Sequence, residues 1–132
     1  YEFVGRGGTG NQPLKLGNNS HQLHVKAGAI PQGERHLFLL AQVPIAGAGC
    51  QVVVTKLSGG DIEDVVDPYT LYIRCKKNPA INDDRCPAGY SIFRTDPTVE
   101  EIGGEVTDDE KWMYVNLQTL STYALATGVR VD

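Results

Sequence analysis

The residues of this chain that could do chemistry are three cysteines, three histidines, an acid-rich stretch and two short runs that interleave aromatic and basic side chains. His21 and His24 stand three apart, the spacing that lets two imidazoles on one helix face share a metal ion. The segment that carries them alternates instead: Leu23 and Val25 fall on one side, His24 and Lys26 on the other. On such a strand the two histidines point to opposite faces, so they are read as surface histidines beside a turn. Cys50, Cys75 and Cys86 have no C-x-x-C spacing, and no zinc set follows from them. Asp96–Glu110 has carboxylate density that would suit calcium, but the D-x-D-x-D-G register is missing. Its expected role is a solvated acidic loop that steers a basic partner.

No catalytic set can be named. A G-x-S-x-G elbow is absent, and no cysteine carries a recognisable catalytic signature. Glu100 and Glu101 are only chain neighbours, and GRGGTG near the N-terminus lacks the Lys-Ser/Thr ending of a phosphate loop. The expectation is a protein that is not an enzyme and uses no metal or cofactor. Binding chemistry is better represented. Tyr72, Arg74, Lys76 and Lys77 cluster near Arg85 around the cysteine loop, and Tyr and Arg are enriched at binding hot spots. Trp112 and Tyr114 form the second group. Buried, they would be core; exposed and coplanar, they would stack on a sugar or anchor a partner protein. The net charge of −4 argues against nucleic acid, which demands a clustered positive footprint.

These side chains need elements to hold them. Glu34–Leu57 contains two Leu- and Val-rich runs, His36–Val43 and Cys50–Leu57, joined by Pro44–Gly49. Each has strand length, so the two are expected as neighbouring strands at the centre of the domain. Tyr69–Cys75 has the cleanest alternation: Tyr69, Leu71, Ile73 and Cys75 on a core face, Thr70, Tyr72 and Arg74 on the other. Tyr90–Arg94 is a returning strand. Trp112–Leu117 sets Met113, Val115 and Leu117 opposite Trp112, Tyr114 and Asn116. Thr122–Val131 alternates likewise, with Gly128 as a bend. Tyr1–Asn11 is too glycine-rich for a regular element and is expected as an arm or edge segment. Asp96–Lys111, with seven acidic residues and one lysine, is expected to be mostly loop, with Val99 and Ile102 allowing a brief helical turn. Seven or eight short strands punctuated by Gly, Pro, Asn and Asp imply an all-β antiparallel β-sandwich of jelly-roll type, one domain over residues 1–132.

At 132 residues, with 41% hydrophobic and 21% charged residues, the chain is long enough to bury its own core. No apolar run nears the roughly 20 residues that span a bilayer. The chain starts at Tyr1 without a signal peptide, so it is expected to be excised from a larger secreted protein. A Cys75–Cys86 bridge across the polar loop is the simplest pairing and leaves Cys50 alone in an apolar strand. The odd count also fits a reduced intracellular protein, or a partner cysteine outside this chain. The setting favoured is oxidising and extracellular. Asn18-Asn19-Ser20 matches a glycosylation acceptor.

Two segments, LKLGNNSHQLHVKAGAIPQGERHLFLLAQV and STYALATGVRVD, resemble the opening and closing strands of a galectin-type sandwich. The sugar-binding galectin motifs, His-x-Asn-x-Arg and Trp-x-x-Glu-x-Arg, have no counterpart. QVVVTKLSGG follows Cys50, and MYVN follows Trp112. A galectin-like scaffold with added cysteines and no sugar site resembles the C-terminal galectin-like domain of apicomplexan microneme adhesins. That resemblance implies a secreted, non-catalytic adhesion module that binds, and helps to fold, an epidermal-growth-factor-like domain of a membrane-anchored partner. DPYTLYIRCKKNPAIND and the later W-x-Y-V strand are also similar to the bacterial pre-peptidase C-terminal domain. This second resemblance implies a carbohydrate- or collagen-binding accessory module.

Overall fold

The computed structural model describes residues 2–7, 13–30, 35–43, 48–57, 61–62, 69–78, 81 and 83–127. These form β1 (Glu2–Gly7), β2 (Leu14–Gly17), β3 (His21–Val25), β4 (His36–Gln42), β5 (Ala48–Lys56) and β6 (Asp61–Ile62). They continue as β7 (Tyr69–Arg74), β8 (Tyr90–Arg94), β9 (Glu100–Gly103), β10 (Glu105–Val106), β11 (Trp112–Asn116) and β12 (Thr122–Thr127). A 3-10 turn, Cys75–Lys77, follows β7. Among the described residues no helix is long and apolar enough to cross a membrane.

The strands form an antiparallel β-sandwich. One sheet has the order β1-β4-β5-β12-β8-β9, with β6 also on β5; the other has the order β10-β11-β7-β3-β2. The expected central pair is β4 and β5, in register from His36↔Lys56 to Gln42↔Cys50. Their inward residues Phe38, Leu40, Cys50, Val52 and Val54 are buried. They face Tyr69, Leu71 and Ile73 of β7, Leu23 and Val25 of β3, and Met113 of β11, all buried in the same core. The period-two reading of β7 therefore holds, and burial of these large side chains supplies the main driving force for the fold. Cys75 and Cys86 are bridged, with Cα atoms 5.2 Å apart, and Cys50 is free and buried.

Four expectations need correction. Glu2–Gly7 is a regular edge strand, fully paired with β4 from Glu2↔Ala41 to Gly7↔His36; the ladder of backbone bonds outweighs the low propensity of glycine. Asp96–Lys111 is mostly loop as expected, but it also holds the short strands β9 and β10, and the brief helical turn at Val99 and Ile102 does not form. Among the described residues twelve strands replace seven or eight, because short edge strands leave too little alternation to read. His21 is not a surface residue: it shares the inward face of β3 with Leu23 and Val25 and is 1% exposed. Gly128, Val129 and Val131, read as the end of the last strand, lie outside the described residues.

Candidate functional site

The outward face of the five-stranded sheet gathers most of the aromatic and basic residues singled out from the sequence. β7 and β11 are in register with Tyr72 opposite Tyr114 and Arg74 opposite Trp112. Hydrogen bonds from Leu117 N–H to the Tyr69 carbonyl and from Cys75 N–H to the Lys111 carbonyl fix which pairs exchange backbone bonds. By alternation, Tyr72–Tyr114 and Arg74–Trp112 are non-hydrogen-bonded pairs, the kind whose side chains lie closest. The rings of Tyr72 and Tyr114 accordingly stack, with centroids 5.1 Å apart and planes 26° apart. The Arg74 guanidinium lies 5.5 Å from the centre of the Trp112 ring, a cation–π contact.

From β3, on the other flank of β7, His24 brings its ring 4.1 Å from that of Tyr72. Tyr72 is therefore held between His24 and Tyr114. Gln22, directly opposite Tyr72, contacts the His24 Nε2 atom through its Oε1 at 3.0 Å. Burial and the nearby charge of Lys15 lower the pKa of His24, which favours the neutral ring. At the far edge the Tyr114 hydroxyl donates to Glu105 Oε2 at 2.9 Å, and this bond raises the phenol pKa.

Asp84 locks the lower end of the face. It accepts from Arg74 Nη2 at 3.2 Å and lies 3.7 Å from Lys111 Nζ. The Arg74 hydrogen bond, aided by the charges of Lys111 and Lys76, holds the Asp84 carboxyl below the usual range. The Cys75–Cys86 bridge and the bond from Cys86 N–H to the Glu110 carbonyl tie the loop to the turn before β11. Lys76 is exposed in the 3-10 turn, beside the face rather than in its stacked row. The backbone of Lys77 belongs to the same turn; its side chain lies outside the described residues.

The face thus joins Tyr72, Arg74, Trp112 and Tyr114, but not as sequence reasoning grouped them. Trp112 and Tyr114 each find a partner across the strand on β7, Arg74 and Tyr72 respectively. His24, Gln22 and Asp84 were missed. The outward position of His24 was legible, but its neighbour was not, because sheet order brings β3 beside β7.

A second feature lies among β8, β9, the end of β11 and the start of β12. A cavity of about 480 Å³ is lined by Arg94, Glu100, Ile102, Leu117, Thr119 and Tyr123, among others. Arg94 shares its strand face with Ile92 and forms an ion pair with Glu100, its register partner on β9. Among the described residues no three His, Cys, Asp or Glu side chains are grouped to hold a metal ion. Comparison of the chain with protein-family models, with curated proteins and with solved structures finds no match.

Proposed function

We propose that this domain is a non-catalytic, extracellular protein-interaction module that docks a partner on the outward face of its five-stranded sheet. The observation that carries the reading is the pre-ordered row of His24, Tyr72 and Tyr114 beside the Arg74–Trp112 pair. Tyr, Trp and Arg dominate binding hot spots, and rings already fixed by their neighbours lose little rotamer freedom when a partner arrives. The Cys75–Cys86 bridge lies at one end of this face, and a disulfide suits an oxidising, extracellular setting. The galectin-type resemblance narrows the partner to a secreted or membrane-anchored protein with an epidermal-growth-factor-like module. It narrows the setting to a secretory organelle such as the microneme.

Carbohydrate binding by ring stacking has less support. Tyr72 has a ring on either side, so a sugar would have to displace a neighbour to stack on it, and Arg74 already lies over Trp112. The test combines a broad glycan array with capture of secreted proteins bearing epidermal-growth-factor-like modules, both using the oxidised domain. The expected result is a blank array and capture that falls about tenfold in Tyr72→Ala and Arg74→Ala. Competable glycan binding, or capture unchanged in both variants, overturns the proposal.

A further inference from the structure

The ribbon Val99–Val106 joins the two sheets, and both of its strands end a sheet: β9 is the last strand of one, β10 the last of the other. Among the described residues, no strand pairs with their outer edges. An unpaired edge presents backbone N–H and C=O groups ready to accept another strand. The exposed large apolar side chains concentrate here. Val99 is 66% exposed, Ile102 37% and Val106 40%; among the described residues outside the ribbon only Leu57, at 42%, belongs to this group.

Acidic side chains punctuate the same ribbon at Glu100, Glu101 and Glu105, with no basic residue between Asp96 and Glu110. Arg94 neutralises Glu100 across the β8–β9 pair, and Tyr114 holds Glu105 without cancelling its charge. Glu101 is exposed, and no described residue pairs with it. A second copy of this chain would bring like charges together at the edge, which repel. A basic strand meets no such penalty.

We infer that the β9–β10 edge is a second docking site, which takes an extended segment of another protein whose side chains alternate between basic and apolar. Added as a further strand, that segment gains affinity from main-chain hydrogen bonds. Its lysines or arginines meet Glu101 and Glu105 on one face, and its apolar residues cover Ile102 and Val106 on the other. Charge supplies the selectivity, since an acidic segment would be repelled at the same positions.

The test is a titration of the ¹⁵N-labelled oxidised domain with an alternating Lys–Val octapeptide, read by amide chemical shifts. It uses no natural partner, so its outcome is independent of the outward-face reading. Saturable shifts confined to Val99–Val106 and the neighbouring strands are expected. Affinity should fall about tenfold when Glu101 is replaced by Lys. A peptide N-methylated at alternate residues, with the same charge but without the edge-pairing donors, should lose saturable binding. Equal binding by the N-methylated peptide would reduce the effect to charge attraction and overturn the proposal. So would an absence of saturable shifts, unchanged affinity in Glu101→Lys, or shifts of the same amides on concentrating the domain alone, which would make the edge a contact between copies.

Discussion

Burial decides the behaviour of single residues more than their chemical type does. His21 lies in the core, and neither ring nitrogen has a hydrogen-bond partner among the described residues. Burial lowers its pKa from 6.5 to about 4. Between those values the unfolded chain binds more protons than the folded one, so stability rises with pH there. The contribution is complete above pH 6.5 and is lost as pH falls towards 4. From pH 8 to pH 5 the cost is about 2 kcal/mol, to which the smaller lowering at His24 adds in the same direction. Denaturant unfolding across that range should show the slope in the parent and a flatter curve in His21→Leu. Gly17 offers a test of backbone constraint. It has φ of +119°, and a Cβ there would lie 2.1 Å from the His21 carbonyl oxygen. Gly28, at φ +79°, has open space around it. Gly17→Ala should cost more than about 2 kcal/mol and Gly28→Ala about 1, read as shifts in denaturation midpoint.

Elements act through pairing. The stack of Tyr72 on Tyr114 exists because β7 and β11 bring them together as a non-hydrogen-bonded pair. A double-mutant cycle with Tyr72→Ala and Tyr114→Ala should return a coupling of about 1 kcal/mol in stability. A cycle on two rings that do not touch would return nothing. The end of β7 is held differently, by the Cys75–Cys86 bridge across a separation of 11 residues. The chain-entropy account assigns that closure about 3 kcal/mol. Cys75→Ala with Cys86→Ala should lower stability by about that amount in calorimetry, and the parent should lose it on adding reductant. Cys50, at 0% exposure and with its thiol pKa driven up by burial, should resist alkylation until the domain unfolds.

At the scale of the molecule, charge is distributed unevenly. The domain has a net charge of −4, while the stretch from Asp96 to Glu110 carries seven acidic residues and no basic one. Such a field acts on encounter more than on the finished complex. A basic partner should therefore associate more slowly as salt rises to physiological strength, with little change in its dissociation rate; stopped-flow mixing at several salt concentrations reads both. The aromatic face and the acidic edge are neighbours, because β10 lies beside β11 and Glu105 holds the Tyr114 hydroxyl. A partner large enough to cover the outward sheet would therefore meet both.

The sequence by itself determined which residues face the core wherever a strand is long enough to alternate. Tyr69, Leu71 and Ile73 on one side of β7, and Tyr72 with Arg74 on the other, follow from a local period of two that no tertiary contact alters. It also made Cys75–Cys86 the simplest pairing, since a short polar loop leaves the two within reach of each other while Cys50 sits in an apolar run; the structure decided that the bridge forms. Only the tertiary structure decided what each outward side chain touches. Alternation assigns a face but names no neighbour, and strand order is set by contacts between distant segments, such as β3 beside β7 and β12 between β5 and β8. For that reason the His24–Tyr72–Tyr114 row, the Arg94–Glu100 pair and the open β9–β10 edge were not legible beforehand. The burial of His21 was within reach of the alternation, since it shares the face of Leu23 and Val25; the polar type of its ring is what made it read as surface.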